Sequence, residues 1–306
     1  MLTFMAVQKK AIRLLFYFVV ASLIYQGALV WDRRNDGFEV SKIFSNWSYQ
    51  KECDFKYSQK AIDRANTILS QPFRYLAHGF QCYVFISEDG NYILKFFRHQ
   101  RMRVPEYLYK LPQIGFIRNF IEEKERYAKK RIGYICKSFK VATQYAPKET
   151  GLLYVHINPS QNLHPQVTIY DKLGTKYVLP LDEMQFVVQK KAVHLKETLA
   201  LLVKEKRMDE ARARIDQIFD LLVSCAKKGV LDTDGALIRK NNMGFLPDRA
   251  IYIDSGKLTY KDSIKTKSRF KKDLHRLRPL EKWLKQNYPK LFVYYKDKKA
   301  QVLYNF

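Results

Sequence analysis

Five polar residues in this sequence are of types that could meet a phosphate or a hard cation. Lys95 lies inside the apolar run YILKFF, Asp234 lies in the acidic loop LDTDGALIRKNN, and Asp254 lies in the run IYIDSG. Asn241 and Asn242 close the acidic loop. A lysine within an apolar strand needs a carboxylate or a phosphate to offset its burial. Two acids and an amide converging from two loops suit a hard, oxygen-ligated cation such as Mg²⁺. Turn chemistry is the competing account, because Asp, Asn and Gly are also default turn residues.

Such residues need elements to hold them. In LAHGFQCYVFISEDGNYILKFF, Gly79 allows close backbone approach to an anion, and Val84 follows it on the next strand. Taken alone, that motif is better explained as an ordinary hairpin. Alternation places Ile93 and Lys95 on one strand face and Leu94 and Phe96 on the other. Ser58 caps a helix through Ser70, and Pro72 stops it. Strands are expected over 73–86 and 91–97, with the turn signal Glu88-Asp89-Gly90-Asn91 between them. Residues 116–142 read as a long basic helix whose first half carries Glu122, Glu123 and Glu125. Strands follow near 152–157, 166–172, 175–180 and 184–189. Helices are expected over 194–205 and 208–228, the latter with Ile215, Phe219, Leu222 and Ala226 on one stripe. Short strands flank Gly244 and Pro247, and a helix over 266–287 closes the chain. Strands thus precede helices, an α+β order.

In this order the motifs resemble the nucleotide-binding and phosphoryl-transfer machinery of the protein-kinase-like fold, over about residues 73–260. Gly79 matches the middle glycine of the G-x-G-x-x-G loop, with Ala77 and Cys82 at the flanking glycine positions and Val84 at the valine. Asp234 matches the Asp of H-R-D-x-x-x-x-N, with Asp232 in place of the His; the Asn can be Asn241 or Asn242, and Asn241 lies two residues later than the pattern sets. Asp254-Ser255-Gly256 resembles D-F-G. No A-P-E segment follows. The likeness is greater to compact bacterial sugar and lipopolysaccharide kinases, or to membrane-anchored proteins with a degenerate kinase-like domain, than to regulatory protein kinases. It implies that Gly79, Val84 and Lys95 hold ATP, with Lys95 on the phosphates. It implies that Asn241 and Asp254 hold Mg²⁺ and that Asp234 orients the acceptor hydroxyl. Glu123 is carried as the helix partner of Lys95, although sequence does not separate it from Glu122 or Glu125.

Elsewhere the chain sets bounds. Its 306 residues include 55 Lys+Arg against 30 Asp+Glu, a net charge of +25 that favours anionic partners. A nucleic-acid reading leaves the Asp/Asn/Gly constellation unexplained, and no basic block with interleaved stacking aromatics stands out. Cys53, Cys82, Cys136 and Cys225 are far apart without a C-x-x-C pair, so neither a disulfide framework nor a zinc site is expected. Residues 12–31 form an apolar run of membrane-spanning length behind Lys9 and Lys10. An uncleaved anchor is favoured over a signal peptide, since Gln26-Gly27-Ala28 makes a poor cleavage site. Basic flanks balance on both sides, so orientation stays open.

The expected architecture is an N-terminal transmembrane helix (1–34), a linker with a leading helix (35–72), then a bilobal kinase-like domain. Its strand-rich first lobe covers 73–192. A short helical second lobe with a basic tail covers 193–306. The expected function is a membrane-anchored, ATP- and Mg²⁺-dependent phosphotransferase acting on an anionic membrane-associated acceptor, a glycolipid or sugar. The basic tail would lie on acidic lipids at about 1 kcal/mol per favourable Lys or Arg. The alternative is a pseudokinase that serves as a membrane-tethered interaction module.

Overall fold

The computed structural model describes residues 2–45, 49–101, 103–112, 114–234 and 242–306, with backbone alone at 2–12, 101 and 106. It is an α+β fold built on a curled sheet. Helix α1 (Leu2–Arg34) is followed by α2 (Gln59–Leu69) and three antiparallel strands, β1 (Phe73–His78), β2 (Cys82–Ser87) and β3 (Tyr92–Phe97). The first expected strand is therefore two strands folded at Gly79. Next come α3 (Glu106–Tyr109), α4 (Gly115–Tyr145), α5 (Pro147–Thr150) and strands β4 (Leu152–His156), β5 (Gln166–Tyr170), β6 (Lys176–Pro180) and β7 (Phe186–Lys190). The sheet runs β4-β7-β3-β2-β1-β5-β6, and within it β1 pairs with β5 in parallel.

The second half is mainly helical. Strand β8 (Val193–His194) leads into α6 (Leu195–Lys204) and α7 (Met208–Lys227). Short strands β9 (Val230–Asp232), β10 (Met243–Phe245), β11 (Ala250–Tyr252) and β12 (Leu258–Tyr260) follow. β10 lies between β8 and β11, whereas β9 pairs with β12. Helices α8 (Lys267–Leu274), α9 (Arg278–Asn287) and α10 (Pro289–Asn305) end the chain. The single helix expected over 266–287 is divided because Pro279, without an N–H, sits in the first turn of α9. Pro289 likewise starts α10, a helix the sequence reading treated only as a basic tail.

Period-two patterning assigns the two faces of the central strands. Tyr83, Phe85, Leu94 and Phe96 point into one buried cluster with α2, Phe38 and Ile43. Phe97 and Val187 face a second cluster made with α4 and α6–α10. The α7 stripe is buried as its spacing requires, at Ile215, Phe219, Leu222 and Ala226. Each of the three larger side chains, Ile215, Phe219 and Leu222, is worth about 1.5–3 kcal/mol when removed from water.

Two tertiary features were not legible in the sequence. Cys53 and Cys136 form a disulfide that ties the segment before α2 to the middle of α4, across 83 residues. Their linear distance hid the pairing, which depends on how α4 packs. The chain leaving α1 is held against the sheet as well. Asn35 Nδ2 donates to Asp171 (3.0 Å), and the Tyr83 hydroxyl donates to the Gly37 carbonyl (2.6 Å). Within α1, Arg13–Arg34 is long and apolar enough to cross a membrane, with mean hydropathy 1.8 and no burial against the rest of the chain. A signal sequence has the same length and composition.

Candidate functional site

One cleft of about 500 Å³ lies between the curled sheet and the short strands of the second half. Gly79, Val84, Lys95, Asp234, Asn242 and Asp254 all line it. Five of the predicted site residues therefore meet in one place from four separate segments. Asn241 lies outside the described residues; its neighbour Asn242 is the amide on the cleft wall.

The roof comes from the turn between β1 and β2. The Gly79 N–H donates to the Cys82 carbonyl, and the Arg98 guanidinium donates to the Gly79 carbonyl (3.0 Å). A Cβ at Gly79 would meet open space, so none of the described residues fills the room above this turn. Burial pushes the Cys82 thiol up to about 12, which keeps it neutral near pH 7.

Lys95 is on β3, opposite Val84 on β2 and Val187 on β7. Its ammonium donates to the Ile253 carbonyl at 2.7 Å. Desolvation lowers its pKa, and the nearby Asp254 charge opposes that shift. The lysine thus spans from the sheet to the segment that carries Asp254.

The acidic wall is built by the β9–β12 ladder. Register Leu258↔Asp232 and Leu231↔Thr259 brings the ends of the two loops side by side. Asp232 Oδ1 accepts from the Asp234 N–H (2.7 Å), which turns the Asp234 carboxylate into the cleft. Asp234 Oδ2 then accepts from Asn242 Nδ2 (3.2 Å) and Lys257 Nζ (3.3 Å). Arg276 of the turn after α8 donates to the Asp234 carbonyl. Asp254 Oδ1 accepts from the Gly256 N–H (2.9 Å). A Cβ on Gly256 would lie 3.1 Å from Gln81 Oε1 and 3.2 Å from Asp254 Oδ1, so glycine lets the roof and the acidic segment approach.

Asp232 itself does not line the cleft. It is almost fully buried, and desolvation raises its pKa to about 7. The Asp234 N–H and Arg276 oppose that rise, while the Asp254 and Asp234 charges add to it. Among the described residues its Oδ2 has no hydrogen-bond partner.

Glu123 is corrected by the structure. It is exposed near the start of α4, as are Glu122 and Glu125, and it does not line the cleft. α4 instead reaches the cleft at Phe139, sixteen residues further on, about 24 Å along the axis at 1.5 Å per residue. Next to Phe139, Ser138 Oγ donates to the Ser255 carbonyl and accepts from the Leu258 N–H, both at 2.6 Å. Ser138 therefore pins α4 to the segment after Asp254. Sequence reading missed it, along with Lys257, Gln81 and Arg276. Only Lys257 carried a signal, as a cation directly after Asp254-Ser255-Gly256.

Among the described residues no group of three or more His, Cys, Asp or Glu forms a ready-made metal cage. The donor set that does converge is two carboxylates and an amide, all hard oxygen donors. That set fits Mg²⁺, which keeps water or phosphate oxygens in most positions rather than a full protein cage. The cleft therefore joins cations (Lys95, Lys257) to acids (Asp234, Asp254) around a space open to the Gly79 turn. No protein-family model matches the sequence, and no curated protein matches it.

Proposed function

We propose that the chain is a kinase-like protein whose cleft binds ATP with Mg²⁺ and transfers the terminal phosphoryl group to an anionic, membrane-associated hydroxyl compound such as a glycolipid or sugar. The supporting observation is the convergence of Lys95, Asp234, Asn242 and Asp254 beneath the Gly79 turn. Lys95 would neutralise the phosphates from the sheet side. Asp254, with Asn242 as the described amide, would hold Mg²⁺, which supplies charge neutralisation of the phosphates when bound. Asp234 would accept the proton of the attacking hydroxyl. The acceptor oxygen forms a new bond to the terminal phosphorus, the bond to the β-phosphate oxygen breaks, and ADP leaves. Lys257, beside Asp234, would screen the negative charge of the transferring group. The apolar helix Arg13–Arg34 supports a single-pass membrane location.

A second reading is a pseudokinase that acts as a membrane-tethered interaction module. The Cys53–Cys136 disulfide favours it, because disulfides persist in oxidising compartments, whereas ATP is available in the cytosol. Transfer from γ-labelled Mg·ATP into a membrane lipid and glycolipid fraction, by the full chain in detergent, tests the first reading. Label that enters with the wild type and not with Asp234→Ala supports phosphotransfer. No transfer by the wild type, in a preparation whose Cys53–Cys136 bond is intact, favours the interaction module.

A further inference from the structure

A second groove, of about 770 Å³, opens directly beside the cleft and shares Phe80, Gln81 and Lys257 with it. Its charged residues are Lys129, Lys130, Arg131, Lys137 and Lys257 against a single acid, Glu52. Among the described residues, Lys129, Lys130 and Lys137 make no ion pair, so their charge faces the groove's solvent. Arg131 lies over the Phe80 ring at 5.1 Å and donates to the Tyr127 hydroxyl. The Tyr134 hydroxyl meets Thr233 Oγ1 at 3.2 Å, one residue before Asp234. A chain of contacts thus leads from the cationic wall of α4 to the acid at the centre of the cleft.

The groove also lies near the exit of the apolar helix. Tyr83 bonds the Gly37 carbonyl just beyond α1, Arg98 stacks on Tyr83 at 4.7 Å, and the same Arg98 bonds Gly79 beside Phe80. Three contacts therefore connect the end of α1 to the groove's rim. Exposed aromatics accompany the cations here: Phe80 is 64% exposed, Tyr127 54% and Tyr134 49%. Upstream on α4, Phe116 is 72% exposed. Cations beside exposed tyrosines on a helix near that exit are the chemistry of a headgroup interface.

We infer that this groove docks the phosphate headgroup of an anionic bilayer lipid. The occupant is a lipid in the membrane that α1 would enter, because the groove's charge is complementary to a phosphate headgroup and its rim lies beside that helix's exit. The inference rests on the proposed phosphotransfer only for its consequence, that a lipid-borne acceptor hydroxyl would be delivered toward Asp234. The docking itself stands without nucleotide. It also differs from the tail reading, since the tail cations lie on α8–α10, whose α10 packs against α7.

The test is amine-labelling footprinting of the full chain in nanodiscs, without nucleotide. One set of discs is phosphatidylcholine alone and another contains phosphatidylglycerol; a third arm adds soluble glycerol phosphate to the phosphatidylcholine discs. Lys129, Lys130 and Lys137 should label about fivefold more slowly in the anionic discs, the equivalent of about 1 kcal/mol per contacting lysine. Glycerol phosphate should leave them unchanged, and Arg131→Glu with Lys130→Glu should restore fast labelling of Lys129 and Lys137. Lys130 is exposed and Arg131 half-buried over the Phe80 ring, so an unchanged melting temperature is required to confirm that the variant folds. Equal labelling in both discs overturns the inference. So does protection by glycerol phosphate alone, which marks a site for free phosphate. Protection confined to Lys271 and Lys272 overturns it too, by making the tail the docking surface. Because no arm contains ATP, failure here leaves the nucleotide reading standing, and a Mg·ATP measurement tests that separately.

Discussion

The two walls of the cleft hold charge in opposite ways. On the β9–β12 wall every acid is tied down: Asp232 by the Asp234 N–H, Asp234 by Asn242 and Lys257, Asp254 by the Gly256 N–H. The α4 wall brings no carboxylate to the cleft, only Phe139 there and Ser138 clamped behind it. Lys95 must therefore offset its burial across the cleft, through the Ile253 carbonyl and the Asp254 charge, and not through its own helix neighbour. A wall made by a short ladder with Asx-type backbone bonds fixes its acids locally. A long helix fixes only what its register happens to present.

The sharpest way to break this contrast is to remove the acids one at a time. Asp234→Asn should reduce phosphoryl transfer by at least about a thousandfold while Mg·ATP still raises the melting temperature, because its proposed role is at the acceptor. Asp254→Ala should lose both, since the metal and the Lys95 counter-charge go together. If the two variants behave alike, the division of labour on the acidic wall is wrong.

A smaller effect tests burial on the same wall. Asp232 has a folded-state pKa raised to about 7 from an ordinary value near 3.8, so the folded form holds its proton where the unfolded chain has released it. Its contribution to stability is full below about pH 4 and is lost as pH rises through about 7. The upper bound on that loss is about 4 kcal/mol. Asp232→Asn should flatten the denaturation midpoint between pH 5 and pH 8; an unchanged slope would show that Asp232 is not protonated in the fold.

On the helix wall the expected effects are smaller again. Ser138→Ala removes the donor to the Ser255 carbonyl and the acceptor for the Leu258 N–H, and should destabilise by about 1–3 kcal/mol in chemical denaturation. Glu123→Gln should change stability and nucleotide response by less than about 0.5 kcal/mol, because the side chain is solvated. A large Glu123 effect would restore the helix glutamate as a partner of Lys95 and remove the contrast between the walls.

How much was legible in the sequence follows the same division. Lys95 lies inside a short strand, and Asp234 and Asp254 lie just beyond two others, where alternation or turn chemistry can be read from a few neighbours, and all three reach the cleft. The α7 stripe was readable for the same reason. The facing position on α4 was not, because it depends on the rotation and axial offset of a 31-residue helix, which no local pattern sets. The Glu122–Glu125 cluster stood out as chemistry yet lies where the helix is solvated, whereas Ser138 looked unremarkable and holds two backbone groups. The Cys53–Cys136 bond and the Lys257–Asp234 pair are tertiary in the same sense.

In the proposed function Lys95 and Asp254 bound a nucleotide site. Its most direct test is the melting temperature of the full chain in detergent, with the disulfide intact, against rising Mg·ATP. Binding at a hundredfold above Kd stabilises by about 2.7 kcal/mol, a rise of several degrees. Mg·ATP should give such a rise, which should be absent with Mg²⁺ or ATP alone at the same concentrations and lost in Lys95→Met. No shift at millimolar Mg·ATP, or an equal shift in Lys95→Met, would contradict the proposed function.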